Sequence, residues 1–191
     1  KTSNWLTMND FKIANLSGNK AKKFINFLSK NKKQKILFAS HAFADAPHYA
    51  GKFIFKDYFE QFIETLNFAN KDDQNLWIFK IHPNSRIFNE RKIFKKQFVN
   101  SKKKNILLCP PNVPIQKLID ICDVIVTGRG SIGMDSAAQG KKVIIAGSAP
   151  YSDLEIAFQP KSKKEYFNFL RRIQIIKNDK SVTEIKKISK Q

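Results

Sequence analysis

The amino-acid sequence predicts a doubly wound α/β domain, with a mostly parallel sheet of about five or six strands between two layers of helices. Three observations support this prediction. Short apolar runs alternate with amphipathic stretches, β-branched residues are concentrated in the runs, and a segment rich in glycine, proline and polar residues follows each run. Because right-handed crossovers join strands that alternate with helices, both faces of the sheet should be covered.

The predicted strands are runs that are nearly continuously apolar. This composition is typical of strands in a parallel sheet that is buried on both faces. The runs are Lys35–Ser40, Leu76–Ile81, Asn105–Cys109, Asp123–Thr127 and Lys142–Ala146.

The predicted helices lie between these runs, where apolar residues recur at spacings of three and four, as on one face of a helix. We interpret these stripes as core packing and not as cofactor-binding boxes. The stripes are Phe55, Tyr58, Phe59, Phe62, Ile63 and Leu66; Ile115, Leu118, Ile119 and Cys122; and Tyr166, Phe169, Leu170 and Ile173. A weaker helix is predicted over Ile87–Asn100, and an opening helix near Lys20–Ser29.

The length and composition indicate one domain. A chain of 191 residues with 42% hydrophobic residues can bury one core and is too short for two ordinary domains. We expect a linker and the opening helix over residues 1–34, and the α/β domain with C-terminal helices over residues 35–191. The chain starts at Lys1 without a methionine, and Lys1–Phe11 has no signal-peptide or membrane-spanning run, which indicates a piece of a longer protein.

The charge of the chain is strongly basic. The 35 Lys and Arg against 16 Asp and Glu give a formal net charge of +19, which attracts nucleic acid, anionic membrane and phosphorylated ligands alike. The basic residues are scattered, and aromatic residues accompany them only where helical periodicity explains it, so we expect no nucleic-acid groove. An AT-rich genome, which favours Lys, Asn, Ile and Phe, explains the charge equally well.

The two cysteines, Cys109 and Cys122, have no metal-ligand spacing around them. One falls in a predicted strand and the other on an apolar helix face, so both are expected to be buried thiols. Buried free thiols fit a reducing cytoplasm, which is the predicted location.

The segment Thr127–Asp135, after the fourth strand, has the clearest ligand-binding chemistry. Ligands of such sheets bind outside the carboxyl ends of the strands. Glycines allow the backbone to approach a phosphate, Ser131 is placed to cap the next helix, and Arg129 offers a charge-assisted contact. Asp135, one turn into that helix, either accepts hydrogen bonds from a ribose or only complements the helix dipole. A plain strand-to-helix turn with a serine cap is the alternative.

The same segment contains a G-x-G-x-x-G pattern, formed by Gly128, Gly130 and Gly133, which is also a dinucleotide fingerprint. However, it follows the fourth predicted strand instead of the first. The helix after it is also short, ending near Gln139 with Gly140 as its C-terminal glycine. These features favour a sugar-nucleotide phosphate over NAD or FAD.

Histidines follow the first two strands. His82 comes directly after the second strand and is fixed by Pro83, so its ring is placed to donate to a phosphate oxygen or to protonate a leaving group. In the first loop, His41, Asp45 and His48 lie within eight residues, which leaves open a base, a sugar contact or a metal site. No fourth ligand is evident nearby, so we expect no metal. The candidate catalytic residues are His82, His41 and Asp45.

Two blocks of the sequence resemble the C-terminal half of GT-B glycosyltransferases, most closely the capsule and surface-polysaccharide biosynthesis enzymes. These blocks are His82-Pro83 after a strand and TGRGSIGMDSAAQGKKVIIAGSAPYSD. The blocks recur in sialyl and Kdo transferases, which use CMP-sugars, and in the CDP-glycerol transferases of teichoic acid synthesis. The likeness covers roughly Lys35–Phe158.

The resemblance implies a Rossmann-like domain, one half of a GT-B fold, that binds a CMP-, CDP- or UDP-linked sugar and has no tightly bound cofactor. It assigns His82, Gly130 and Ser131 to the phosphates and Asp135 to the ribose, although many relatives have glutamate at that last position. The full set of predicted nucleotide-binding residues is His82, Pro83, Arg129, Gly130, Ser131, Ile132, Gly133 and Asp135. The residues predicted to line the cleft or contact the donor sugar are His48, Lys80, Asn84, Tyr151 and Ser152.

The resemblance also implies partners. The acceptor, a polysaccharide or glycolipid, would bind an N-terminal domain that is expected to be absent here, so this chain alone should transfer nothing. Contact with the cytoplasmic face of the inner membrane would suit the positive charge. Two alternatives stay open. Nonhydrolysing UDP-sugar epimerases share the segment His82-Pro83-Asn84, and a non-catalytic basic domain would bind acidic polysaccharide or membrane.

Overall fold

The computed structural model describes residues 19–49, 51–99 and 104–175. In these residues, five parallel strands form one sheet in the order β3-β2-β1-β4-β5. The strands are β1 (Lys35–Ala39), β2 (Leu76–Lys80), β3 (Ile106–Leu108), β4 (Val124–Thr127) and β5 (Lys142–Ile145). The helices are α1 (Asn19–Lys30), α2 (Tyr58–Ala69), α3 (Arg91–Val99), α4 (Ile115–Ile121), α5 (Ile132–Ala137) and α6 (Lys163–Arg171), with 3₁₀ turns at Pro83–Arg86 and Ser152–Leu154.

The predicted fold class is confirmed, and every predicted strand is found to within one residue at each end. Two helix starts were predicted too early. Asp57 caps α2 by accepting a hydrogen bond from the Glu60 N–H, so Phe55 precedes the helix. The helix predicted from Ile87 begins at Arg91, because Asn89 takes a left-handed backbone with φ of 55°. The predicted linker before Asn19 and any C-terminal helix after residue 175 lie outside the described residues.

The two faces of the sheet have different cores. Alternate strand residues point to opposite faces, so Phe38 and Phe79 enter an aromatic cluster, whereas Leu37 and Ile78 enter an aliphatic one. Helices α2, α3 and α6 cover the aromatic face through Phe62, Phe94, Tyr166 and Leu170. Helices α1, α4 and α5 cover the aliphatic face through Ala21, Leu28, Leu118 and Ala137. The result is the predicted three-layer arrangement.

Both cysteines are buried free thiols, as predicted. Burial raises the pKa of Cys109 to about 11 and that of Cys122 to about 12, so both stay protonated at neutral pH. In the part of the chain that the structure describes, no helix is long and apolar enough to cross a membrane.

The sheet order creates a crevice at the carboxyl ends of β1 and β4. These strands are neighbours, with Ala39 paired to Thr127. The chain leaves β1 toward α2 on the aromatic face, but it leaves β4 toward α5 on the aliphatic face. Because the two connections diverge, a gap opens between them, which is where open α/β sheets bind ligands.

Candidate functional site

His41 crosses this crevice from the end of β1 to the loop after β4. Its Nε2 atom accepts a hydrogen bond of 3.2 Å from the Arg129 backbone N–H. The neutral ring therefore carries its proton on Nδ1, which lies 3.9 Å from an Asp45 carboxylate oxygen. Interaction with His41 is the main cause that lowers the pKa of Asp45. The Nε2 atom of His41 is thus occupied by a backbone N–H group, and its Nδ1 atom faces the Asp45 carboxylate.

Gly128 lies beneath two stacked rings. The His41 and Tyr58 rings are 4.3 Å apart with an angle of 12° between their planes. A Cβ atom at Gly128 would lie 2.7 Å from the Tyr58 ring and 2.9 Å from the His41 ring. Burial raises the pKa of Tyr58. Only glycine fits at this position, and the reason is the packing of the protein's own rings.

Tyr151 occupies the space on the other side of the loop. Its hydroxyl donates a 2.6 Å hydrogen bond to the Gly130 carbonyl, and a Cβ atom at Gly133 would collide with that hydroxyl oxygen. Burial, followed by the charge of Asp135, raises the pKa of Tyr151. By contrast, a Cβ atom at Gly130 would have no neighbour closer than 3.4 Å. Two glycines of the G-x-G-x-x-G pattern therefore serve ring packing, and Gly130 is the one with space in front of it.

Ser131 does not cap α5, so the predicted serine cap is wrong. Its backbone is already helical, with φ of −55° and ψ of −23°, and its side chain makes no capping hydrogen bond. A cap requires an extended backbone that swings the hydroxyl over the first turn. Ser131 is instead exposed, and within the described residues the N–H groups of Gly130 and Ser131 have no hydrogen-bond acceptor. Asp135 is also exposed, in the first turn of α5.

Arg129 ties three loops together. Its Nε and Nη2 atoms donate to the Ser148 carbonyl at 2.9 and 2.8 Å, and its Nη1 atom donates to the Pro47 carbonyl at 2.5 Å. The loops after β1, β4 and β5 are thereby joined by one guanidinium group. The prediction that Arg129 contacts phosphate has no direct support in this geometry, because the guanidinium already serves backbone carbonyls.

The long loop after β1 runs across the rim to the end of β5. Phe53 pairs with Gly147 in an antiparallel bridge, and the Ser148 N–H donates to the Lys52 carbonyl at 2.8 Å. The crossing leaves a depression of about 380 Å³ beside the β4 loop. Its walls are Ala46, Tyr49, Arg129, Ser148, Ala149 and Pro150. Tyr49 is 92% exposed, so its ring is available to a ligand. The Ser152 hydroxyl shapes the wall by accepting the Ala149 N–H at 2.7 Å.

His82 reaches the crevice from the end of β2. Its backbone N–H donates to the Ser40 hydroxyl at 3.0 Å, and its Nδ1 atom accepts the Asn84 N–H at 3.2 Å. The neutral ring therefore carries its proton on Nε2. The rings of His82 and His41 are parallel within 3° and 6.2 Å apart. Burial is the main cause that lowers the pKa of His82, so the ring is neutral at pH 7.

Two predicted rim residues face protein groups instead of the crevice. The Lys80 ammonium donates to the carbonyls of Pro110, Pro111 and Val113 at 3.2, 2.9 and 2.9 Å. Its three protons are all used, so the geometry gives no support to a contact with the donor sugar. The exposed His48 ring bonds through Nε2 to the Lys56 carbonyl at 2.8 Å. Over the described residues, no three His, Cys, Asp or Glu side chains are grouped to hold a metal ion.

Three further residues at the site were not among the sequence predictions. Tyr58 was interpreted only as core, Ser40 holds the His82 backbone, and Glu90 is buried beside the His82 turn. The only sequence signal for Glu90 is an acidic residue in a strongly basic segment, which does not distinguish a buried carboxylate from an exposed one.

The family of the chain is established by its sequence. The model of the capsule polysaccharide biosynthesis protein family matches residues 10–172, which include the five strands of the described residues and the crevice loops. The chain belongs to this family. A search of curated protein sequences finds no match.

Several solved structures share the fold. A UDP-GlcNAc 2-epimerase from Neisseria meningitidis, bound to UDP-GlcNAc, aligns over 95% of this chain and 44% of its own length, with 16% identity and a TM-score of 0.58. Anabaena Alr3699/HepE, in complex with UDP and glucose, aligns over 92% and 48%, with 15% identity and a TM-score of 0.58. The wall teichoic acid polymerase TagF aligns over 96% and 45%, with 11% identity and a TM-score of 0.56. The chain thus spans about half the length of these structures, and at such identities the likeness concerns the fold alone.

Proposed function

We propose that this chain is the donor-binding domain of a glycosyltransferase that uses a nucleotide-activated sugar to build capsular or other surface polysaccharide. The observation that carries the proposal is a set of hydrogen-bond donors at the β1/β4 crevice. They are the N–H groups of Gly130 and Ser131, without acceptors within the described residues, and the Nε2–H group of His82. Phosphate oxygens are strong acceptors and suit such a set. Family membership supports the polysaccharide as the product.

In this proposal, backbone groups bind the phosphates and His82 completes the site. The space in front of Gly130 admits a phosphate oxygen, and the neutral His82 ring donates its Nε2 proton to it. Helix α5 has only six residues, so its dipole is a small contribution and the loop N–H groups dominate. The exposed Asp135 carboxylate, in the first turn, is proposed to accept the ribose hydroxyls.

The other rim residues are proposed to shape the cleft. The depression beside Tyr49 is large enough for a nucleoside or a sugar. The Asp45 side chain is 39% exposed, and its lowered pKa keeps it ionised at neutral pH, so it is the proposed proton acceptor. His41 holds the β4 loop through the Arg129 N–H and orients Asp45, which gives it a positioning role.

A second domain and an acceptor complete the proposed enzyme. The matched structures are about twice as long as this chain, and the proposed missing half would bind the polysaccharide or glycolipid acceptor. The net charge of +19 favours an anionic donor and an anionic polymer, and it favours work at the cytoplasmic membrane surface.

Calorimetric titration of the chain with CMP, CDP and UDP tests the proposal. We expect at least one nucleotide to bind, and we expect His82→Ala to weaken that binding about tenfold, because a hydrogen bond to a charged group contributes about 1.5–3 kcal/mol. The control is Asn168→Ala, an exposed position on α6 whose side chain pairs with Arg171. Failure of all three nucleotides to bind at millimolar concentration would contradict the proposal.

An epimerase is the second candidate, because the fold match to UDP-GlcNAc 2-epimerases is as good as any reported above. Incubation of the full-length protein with free UDP-GlcNAc and no acceptor separates the two. A transferase leaves the sugar configuration unchanged, whereas an epimerase produces the C2 epimer. A non-catalytic polyanion-binding domain would instead show salt-dependent retention on acidic polymer that survives His82→Ala.

A further inference from the structure

Glu90 is a buried carboxylate that lies between the two histidine-bearing loops. It is 4% exposed, although the segment around it is basic and exposed. One side-chain oxygen, Oε1, accepts the Ala44 N–H at 2.8 Å. Its backbone N–H donates to the Ser85 carbonyl at 2.9 Å, within the turn that His82 starts. A single residue thus links the β1 loop to the β2 loop.

The local backbone directs this side chain inward. Asn89 takes the left-handed conformation, with φ of 55°, and the next residue is Glu90, whose carbonyl accepts the Ile93 and Phe94 N–H groups at the start of α3. The chain therefore reverses at Asn89 and places Glu90 on the core side of α3, next to the buried Phe94.

The second carboxylate oxygen of Glu90, Oε2, is buried and has no hydrogen-bond partner within the described residues. A buried carboxylate with one hydrogen bond lowers stability compared with an apolar residue of similar size. Its presence between the β1 and β2 loops is therefore better explained by its charge than by packing.

The charged and titratable groups that act on His82 come from two elements. They are His41 and Asp45 from the β1 loop and Glu90 from the segment before α3. The charges of Asp45 and Glu90 raise the pKa of His82, against the stronger effect of burial and the effect of His41. Of these three groups, only Glu90 is buried and also accepts a hydrogen bond from the backbone of the β1 loop.

We propose that Glu90 is a positioning residue of the donor site, with two separable effects. Its Oε1 atom fixes the β1 loop beside the His82 turn, and its buried negative charge favours the protonated form of His82 at low pH, which binds a phosphate more strongly than the neutral ring does. The second effect rests on the proposed function. The first effect is a property of the folded chain and does not depend on the proposed function.

Two substitutions separate these effects. Glu90→Gln keeps a carbonyl oxygen for the Ala44 N–H but removes the charge, whereas Glu90→Ala removes both. Glu64→Gln is the matched control, because it makes the same chemical change on α2, where Glu64 pairs with Lys163 at 2.8 Å. The measurements are the NMR titration of the His82 ring, the Ala44 amide shift, and the affinity for CDP at pH 6 and pH 8.

For Glu90→Gln we expect the His82 titration midpoint to move to lower pH and the affinity for CDP to fall about fivefold at pH 6 but less at pH 8. The Ala44 amide should keep its position. For Glu90→Ala we expect the Ala44 amide to move and the affinity to fall at both pH values. Glu64→Gln should change none of these.

A His82 titration in Glu90→Gln equal to that in the wild type would overturn the electrostatic effect, and an unmoved Ala44 amide in Glu90→Ala would overturn the positioning effect. If the wild-type chain binds no nucleotide, the proposed function fails. The His82 titration and the Ala44 amide still decide the role of Glu90 in that case. Should Glu90→Ala not fold, the near-isosteric Glu90→Gln still decides the electrostatic effect.

Discussion

The loops after β4 and β3 both begin at the carboxyl edge of the sheet. The β4 loop offers backbone N–H groups, whereas the β3 loop offers backbone carbonyl groups. After β4, the N–H groups of Gly130 and Ser131 have no acceptor in the described chain. After β3, the carbonyls of Pro110, Pro111 and Val113 are all bound by the Lys80 ammonium. Strand β4 lies next to β1, where the connections diverge, whereas β3 lies at the end of the sheet. The position of a loop relative to the crevice therefore decides whether its polar groups are open to a ligand.

We expect the greatest loss of stability when Lys80, which binds the carbonyls of the β3 loop, is replaced. Lys80→Met removes the donor of the Pro111 and Val113 carbonyls and one of the donors of the Pro110 carbonyl, so the free energy of unfolding should fall by about 2–4 kcal/mol. The affinity of the folded protein for CDP should be unchanged, because Lys80 does not face the crevice. Chemical denaturation and calorimetry measure the two quantities. A large loss of affinity with intact stability would show that Lys80 belongs to the ligand site.

A smaller effect on stability is expected for Gly128 than for Lys80, and almost none for Gly130, although both glycines lie in the β4 loop. Gly128→Ala places a methyl group 2.7 Å from the Tyr58 ring, so the free energy of unfolding should fall by about 1–3 kcal/mol. Gly130→Ala meets only ordinary contacts, so its stability should change by less than about 0.5 kcal/mol, while its methyl group obstructs the phosphate and lowers affinity. Thermal unfolding and CDP titration of both variants test this contrast. Equal stability losses would contradict it.

The pH dependence of stability tests whether the His82 ring is neutral in the folded protein. Because its pKa in the folded protein is below the ordinary 6.5, the unfolded chain binds a proton first as the pH falls. Stability that is present above pH 6.5 is therefore lost as the pH decreases toward the folded-state pKa. His82→Gln should reduce this loss by up to about 1 kcal/mol. Urea denaturation between pH 8 and pH 5 checks the sign, and an opposite slope would exclude a neutral buried ring.

The smallest effect is expected at Ser131. Because its hydroxyl makes no cap hydrogen bond, Ser131→Ala should change the free energy of unfolding by less than about 0.5 kcal/mol, whereas loss of a true cap costs about 1 kcal/mol. Any loss of affinity should be small, since the backbone N–H group remains. Paired denaturation curves of the wild type and the variant suffice, and a loss near 1 kcal/mol would restore the capping interpretation.

The sequence predicted the elements well because hydrophobic periodicity determines them. It predicted the strand ends to within one residue, since each strand is an apolar run bounded by polar residues. It also located the rim residues, because the carboxyl ends of parallel strands meet at one edge. The start of α3 could not be predicted, because the left-handed conformation of Asn89 has no signal in the hydrophobic periodicity.

The partners of the rim side chains could not be predicted. Lys80 ends a strand in the same way as the residues that face the crevice, but its four-carbon stem reaches three carbonyls some 30 residues further along the chain. Gly128 and Gly133 match a nucleotide-binding pattern, yet rings from distant residues explain them. Such contacts depend on tertiary packing, which a local sequence pattern does not indicate.

Chemical-shift mapping shows directly whether the β4 loop and His82 together bind the phosphates of a nucleotide. A ¹⁵N-labelled sample of the chain would be titrated with CDP. We expect the Gly130 and Ser131 amides and the His82 ring to shift together with one saturation curve, while the Val113 amide in the β3 loop does not move. No shift at millimolar CDP, or shifts centred on Val113, would contradict this expectation.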